Sequence, residues 1–174
     1  MKRLGLMILA SAGCMLVLGD AASAQQVRRA ERLLGGNENP PVITDGTGNF
    51  RARLFDDRIE FRLRYDVGFE DSDVIEAHLH IANPGNNGGI VAFLCSNVPG
   101  SPTEQDCPPS PEVITGEIVA ADVLEVSEGA VTIIEAGDLD GLARLIRQSS
   151  VYANVHSDDF PAGEVRGQLN PRER

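Results

Sequence analysis

Strict alternation of apolar and polar residues limits the possible folds of this chain more than any other pattern in it. In RIEFRLRYDV, residues 58–67, every second residue is apolar and every intervening residue is charged. Successive side chains of a β-strand point to opposite faces, so this segment predicts a strand with one buried and one solvated face. Phe50, Ala52 and Leu54 repeat the alternation one segment earlier.

Similar segments follow at short intervals, separated by clusters of Gly, Pro, Asn and Asp. They predict strands at about 73–82, 88–95, 113–119, 150–157 and 163–169. In AGDLDGLARLIRQ the leucines recur at three- and four-residue steps instead, which predicts a short helix with Asp138 as its N-cap. These elements predict an all-β fold, an antiparallel Greek-key β-sandwich of immunoglobulin-like or superoxide-dismutase-like type, with one short helix in a connection.

The first residues predict export. Two basic residues precede an apolar run at 4–18, and small residues occupy 22–24, which is the order of a secretory signal peptide. The run is shorter than the roughly 20 residues of a membrane span. We therefore expect cleavage near Ala24, a secreted or periplasmic location and no membrane span. A lipoprotein interpretation through Cys14 is weaker, because no large apolar residue lies three positions before it.

The patterns divide the chain into four parts. We expect a signal peptide at 1–24, a flexible N-terminal segment at 25–31, a single β-sandwich domain at 32–170 and a flexible tail at 171–174. No internal repeat and no linker long enough to separate two domains is present in the sequence.

The predicted mature chain is acidic and contains no lysine. Removing Lys2, Arg3 and Asp20 from 15 basic and 26 acidic residues leaves 13 and 25, a net charge of −12. Long-range repulsion then disfavours nucleic acid and anionic lipid as partners. The absence of lysine excludes lysine-based covalent chemistry. The expected partner is an unidentified protein or a component of the cell envelope.

Two cysteines remain after the predicted cleavage. Cys95 and Cys107 enclose the loop-like segment CSNVPGSPTEQDC, and an even pair in an exported chain favours a disulfide. The alternative, a metal or redox pair, lacks the two-residue spacing and the basic surroundings that lower a thiol pKa.

The chain has three histidines, and two of them lie on one short strand. His78 and His80 are separated by one residue in IEAHLHIANPG, so both belong to the polar face of the strand. The same parity places His156 on the polar side of VYANVHS. The short connection DDFPA predicts a hairpin between the last two strands. If strand 73–82 lies beside them, one outer sheet face carries Glu76, His78, His80, Asn154, His156, Glu164, Arg166 and Gln168.

This patch gives a metal-site hypothesis. Three imidazoles with an open position are typical of catalytic zinc, and a tetragonal variant suits copper. We take His78, His80 and His156 as candidate ligands. Glu76 or Asp158 is a candidate fourth ligand or ring-orienting group. The supporting polar cluster is Glu76, Asn154, Glu164 and Arg166.

Two other interpretations of the patch stay open. A solvated sheet face collects polar residues that satisfy one another and water, with no ligand. Alternatively, Glu164 and Arg166 pair with the histidines and only lock the sheet. No complete catalytic set is present in the sequence, which favours a non-catalytic role.

Four segments resemble successive blocks of the CHRD domain, a family first described as a repeat in chordin. They are LLGGNENPPVITDGTGNF (33–50), IEAHLHIANPGNNGGIVAFLC (75–95), ITGEIVAADV (114–123) and VYANVHSDDFPAGEVRGQL (151–169). The matching motif positions are His78, His80, Gly88, Asn154, His156, Pro161, Gly163, Glu164, Arg166 and Gly167. Ser157 departs from the pattern, since relatives more often show threonine there.

The resemblance implies an extracellular or periplasmic all-β binding or structural module without established catalytic activity. A His-x-His pair on a Greek-key sandwich is also similar to copper-zinc superoxide dismutase. That enzyme needs more histidines than this chain has, so dismutase activity is not expected.

Overall fold

The computed structural model describes residues 26–68 and 72–171. The predicted signal peptide at 1–24 and most of the predicted tail lie outside the described residues. The strands are β1 (Gln26–Leu34), β2 (Thr47–Leu54), β3 (Ile59–Asp66), β4 (Val74–Ile81), β5 (Gly89–Ser96), β6 (Glu112–Ile118), β7 (Val126–Glu128), β8 (Val131–Ile134), β9 (Val151–Ser157), β10 (Val165–Gln168) and β11 (Asn170–Pro171). The one α-helix among these residues is α1 (Leu139–Arg147), and short 3-10 turns cover Gly35–Asn37 and Ala120–Asp122.

The main sheet is antiparallel and runs in the order β5-β4-β9-β10-β1-β2-β3-β6, with β11 paired to β1. A separate hairpin is formed by β7 and β8. The two halves of the main sheet enclose one hydrophobic core, giving an architecture between a sandwich and a barrel. The predicted all-β class with one short helix is confirmed.

Alternation decides which side chains enter the core. In β3 the buried residues alternate without exception with partly or fully exposed ones. Its buried face packs with alternate residues of β2, β4 and β9. The largest fully buried side chains of the core include Leu33, Phe50, Ile59, Leu63, Tyr65, Leu79, Leu94 and Leu142. The sequence pattern therefore predicted the core face correctly in these strands.

Helix α1 begins as predicted. The carboxylate of Asp138 accepts a hydrogen bond from Gly141 N at 2.8 Å, which satisfies one of the free donors at the helix N-terminus. Leu142 and Ile146 are fully buried. Arg144 and Arg147 occupy the last turn, where positive charge opposes the negative end of the helix dipole.

The prediction of a flexible segment at 25–31 is wrong. From Gln26 onward these residues belong to β1, which pairs with β2 from Gln26 to Leu34 and with β10 and β11 on its other side. Backbone groups on both edges of the strand are thereby paired. Pro171, assigned to the tail, also pairs with Arg28. The arginine-rich segment QVRRAERLL does not alternate clearly, which concealed the strand.

Cys95 and Cys107 form the predicted disulfide. Asn97 fastens the enclosed loop, since its Nδ2 donates to Val74 O at 2.8 Å and to Cys107 O at 2.9 Å. Its Oδ1 accepts from Cys107 N at 3.0 Å. The loop is therefore held at both ends. In the described part of the chain, no helix has the length and apolar character needed to cross a bilayer.

Candidate metal site

The three histidines converge between two neighbouring strands. His78 and His80 lie on β4 and His156 lies on β9, and these strands pair antiparallel. The ring centroid of His78 is 4.9 Å from that of His156 and 5.5 Å from that of His80. The ring centroids of His80 and His156 are 6.5 Å apart. One ring nitrogen from each residue lies within 4.8 Å of the others. Strand 73–82 thus lies beside the last hairpin, which is the condition on which the shared polar face depended.

The histidine face is buried, so its prediction as an outer, solvated sheet face is wrong. His78, His80 and His156 are 1%, 8% and 9% exposed. On the β5 side, the ring of Phe93 packs edge-on against His78 with centroids 4.5 Å apart. Alternation separated the two faces of the strands correctly, but both faces are covered.

Loops distant in sequence provide the cover. Arg166 Nε donates to Asn37 O at 2.6 Å, which brings the segment after β1 over this face. Asn39 Nδ2 donates to Gly85 O at 3.1 Å and ties that segment to the β4–β5 loop. A Cβ at Gly88 would lie 1.8 Å from Ile81 O, so the return of this loop onto β4 requires glycine.

Two of the rings are oriented by backbone carbonyls. His80 Nδ1 lies 2.9 Å from Gly88 O, and His156 Nδ1 lies 3.0 Å from Pro161 O. A carbonyl only accepts, so Nδ1 carries the hydrogen in both rings. In the neutral form, Nε2 then presents a lone pair. Both Nε2 atoms are buried, and neither makes a hydrogen bond of good geometry among the described residues. Asn154 acts on His80 as a side-chain hydrogen-bonding group.

His78 is the central ring of the group. It contacts both other histidines, and neither of its ring nitrogens makes a hydrogen bond within the described part of the chain. Its Nε2 lies 3.4 Å from Glu76 Oε2. Glu76 Oε1 accepts a hydrogen bond from Ser96 Oγ at 2.9 Å, which holds the carboxylate in place. Glu76 is therefore the predicted supporting residue that the structure places beside a ring nitrogen.

Burial keeps the three rings neutral at pH 7. Burial, together with the nearby His156 and His80, lowers the pKa of His78 to about 3. Burial also lowers the pKa of His80 to about 4 and lowers the pKa of His156. Metal ions bind the neutral imidazole, so protons do not compete for this site at physiological pH.

The metal-free protein is expected to lose about 2 kcal/mol of unfolding free energy between pH 7 and pH 5. Unfolded histidines take up protons near pH 6.5, whereas burial holds the folded pKa of His78 at about 3 and that of His80 at about 4. The folded state then binds fewer protons than the unfolded state, so the free energy of unfolding decreases as the pH is lowered. Glu38 opposes this, because burial raises its pKa to about 7 and it gains a proton first in the folded state.

Urea unfolding at pH 7, 6 and 5 with a chelator present measures this loss. The variant Glu38→Gln lacks the opposing group and should lose about 4 kcal/mol over the same range. A flat profile for Glu38→Gln would show that the histidines are not held neutral by the fold.

Glu164 was predicted in the histidine cluster, but its hydrogen bonds are made elsewhere. Its Oε1 accepts from Thr44 Oγ1 at 2.6 Å and from Gly68 N at 2.7 Å, and its Oε2 accepts from Ser157 Oγ at 2.6 Å. The side chain is 0% exposed. It fastens the segments around residues 44 and 68 to the last hairpin. Asp158 is exposed, and its Oδ1 accepts a hydrogen bond from Ser72 Oγ at 2.8 Å. It is therefore not placed beside the three histidines.

Arg166 and Asn154 lie on the histidine face. The guanidinium of Arg166 lies over the ring of Tyr152, 4.7 Å from its centroid, and the same ring stacks parallel to that of His80 with centroids 4.8 Å apart. Arg166 also donates to Asn87 Oδ1 at 2.9 Å. Asn154 pairs in register with His78. None of the hydrogen bonds described for Arg166 reaches a histidine, so the predicted locking pair of Glu164 and Arg166 with the histidines is not formed.

Glu38 was missed by the sequence analysis. It is 8% exposed, and its Oε2 lies 3.9 Å from Arg166 Nε. The signal NENPP is typical of an exposed turn, and nothing in it indicates burial. The contact of this turn with Arg166 depends on residues more than 120 positions apart, which no local pattern reveals.

The histidine face is buried, so the expected protein or envelope partner cannot contact it directly. The disulfide-closed loop is at the surface, and Val98 within it is 43% exposed.

Fold and site together define a disulfide-bonded β-sandwich module whose polar groups are enclosed between two neighbouring strands and the loops above them. A family model for the CHRD domain matches residues 30–169, and the chain belongs to the CHRD domain family. No significant match is found among curated proteins or solved structures. Family membership indicates a non-enzymatic binding or structural module. The domain and its disulfide are compatible with an extracellular or secreted protein.

Proposed function

We propose that this chain is an exported, non-catalytic binding module that holds one copper or zinc ion at His78, His80 and His156. A single observation carries the proposal: three buried imidazoles each offer a nitrogen within 4.8 Å of the other two. Three histidine ligands with a further open position are an established arrangement for these metals.

The unpartnered nitrogens favour a ligand over a purely structural cluster. A buried polar atom without a hydrogen-bond partner costs about 1–3 kcal/mol, and native proteins contain few of them. Here His156 Nε2 and both nitrogens of His78 are unpartnered within the described residues, and His80 Nε2 makes no hydrogen bond of good geometry there. A metal ion accepts three of these lone pairs at once.

The orientation of two rings supports the same conclusion. Histidine ligands of metal ions usually donate their other ring N–H to a carbonyl or carboxylate, which fixes the tautomer. Gly88 O and Pro161 O provide such acceptors for His80 and His156. Nitrogens bound to one tetrahedral ion at about 2.0 Å lie roughly 3.3 Å apart. Ring rotations that move the nitrogens by about 1 Å would therefore complete the site.

The variant His80→Phe tests the proposal. Phenylalanine keeps an aromatic ring against Tyr152, which is parallel to His80, and removes the candidate ligand nitrogen together with the Nδ1 that donates to Gly88 O. The affinity of the His80→Phe variant for copper and zinc should fall by more than the roughly 10–100-fold that follows loss of a group that only hydrogen-bonds a metal ligand. Titration of tag-free protein and elemental analysis of the purified wild type measure this effect.

The matched control is Tyr152→Phe, which keeps the stacked ring and all three imidazoles. Its metal affinity should equal that of the wild type. Urea unfolding confirms that both variants are folded. Equal, weak binding of both metals by the wild type and His80→Phe would refute a histidine site.

A further inference from the structure

We propose that the three-histidine site selects monovalent copper, Cu(I), over Zn(II), with Glu76 as the residue that balances the charge of the ion. This inference rests on the proposed metal-binding function and adds the identity of the ion. It follows from the number and sign of the charges that surround the three rings.

The candidate ligands carry no charge of their own. All three are imidazoles, and the cysteines Cys95 and Cys107 are joined in a disulfide, so neither supplies a thiolate. In the described part of the chain, Glu76 is the acidic side chain within ion-pair distance of a histidine ring nitrogen. Glu76 also acts electrostatically on His156. The site therefore has one nearby negative charge and no negative ligand.

Arg166, a positive group that acts on the site, is largely balanced by Glu38. Arg166 acts on His80 through its charge, but its Nε lies 3.9 Å from the carboxylate of Glu38. Because the charges of Arg166 and Glu38 largely cancel, the surroundings of the three rings contribute about one negative charge, that of Glu76. A monovalent ion makes the enclosed group neutral, whereas a divalent ion leaves one positive charge uncompensated.

Burial makes that uncompensated charge expensive. The desolvation cost of an ion rises with the square of its charge and amounts to several kcal/mol even for a monovalent group. The attraction to Glu76 rises only in proportion to the charge. Because the three histidines are at most 9% exposed, water offers little compensation. The enclosed site therefore favours Cu(I).

The experiment compares two affinities at pH 8, where the carboxylate of Glu38 is charged. Cu(I) affinity is measured without oxygen by competition with bathocuproine disulfonate, and Zn(II) affinity by competition with a chromogenic zinc chelator. The wild type should bind Cu(I) more tightly than Zn(II). In Glu76→Gln, Cu(I) affinity should fall about tenfold and Zn(II) affinity about a hundredfold, since the lost attraction is twice as large for a divalent ion.

Glu135→Gln is the matched control, because Glu135 is exposed on the connection after β8 and the variant has the same change in net charge. It should leave both affinities unchanged. The inference is overturned if Zn(II) binds as tightly as Cu(I), if Glu76→Gln weakens both ions equally or neither, or if Glu135→Gln reproduces its effect. Binding of neither ion by the wild type would instead refute the metal site itself.

Discussion

Replacing Glu164 by alanine is expected to lower the free energy of unfolding by about 4 kcal/mol. The carboxylate is fully buried and accepts hydrogen bonds from Thr44, Gly68 and Ser157. Alanine leaves those three donors without their partner, and each buried donor left unsatisfied costs about 1–3 kcal/mol. The three donors come from separate parts of the chain, so the substitution removes hydrogen bonds that join three segments of the domain.

Urea denaturation at pH 7 measures the effect. Glu164→Gln keeps the shape and one acceptor oxygen, so its loss should be about half as large. The exposed Glu117→Gln serves as a control for the change in charge and should remain within about 0.5 kcal/mol of the wild type. A loss below about 1 kcal/mol in Glu164→Ala would mean that water replaces the carboxylate and that the network does not stabilise the fold.

The second large effect concerns the disulfide. The double variant Cys95→Ala/Cys107→Ala is expected to lose about 3 kcal/mol, because the bond closes a short loop and restricts the unfolded chain. The two cysteines are separated by 12 positions, and both are buried in the core. The loop that they close retains the hydrogen bonds of Asn97, so the folded state should survive.

Chemical reduction provides an independent check of this value. The reduced wild type should unfold at the same urea concentration as the double variant, and the double variant should not respond to reductant. If the double variant were as stable as the oxidised wild type, the loop would be ordered by its hydrogen bonds alone.

The sequence predicted the strands best where one face is apolar and the other charged. In β3 every buried position was predicted, because its charged residues cannot enter the core unpaired. The hairpin of β9 and β10 and the N-cap Asp138 followed equally from local chemistry. In these elements the local signal and the tertiary environment agree.

The histidine face shows where such reasoning ends. Alternation placed His78, His80 and His156 on the polar sides of two strands that were assumed to be neighbours, and the structure brings their nitrogens within 4.8 Å. The sequence pattern also predicted that this face is solvated, because imidazole, amide and guanidinium groups are usual at surfaces. Every residue of β9 is in fact buried. The parity of a strand separates two faces but does not say which loops return to cover them.

The partners of the buried acids were beyond reach for a related reason. Glu38 meets Arg166, and Glu164 meets Thr44 and Gly68. Each pair joins a turn to a strand far along the chain. Such contacts depend on the path of the loops, whereas a short window of sequence records only the tendency to turn.

The position of β1 between β10 and β2 has a consequence for assembly of the domain. The strand formed by the earliest described residues acquires its second neighbour only when the last strands are available. During synthesis, β1 therefore presents an unpaired edge, the kind of template on which chains aggregate. Closure of this seam is a long-range event and is expected to be slow, so the emerging chain would depend on protection until its final residues arrive.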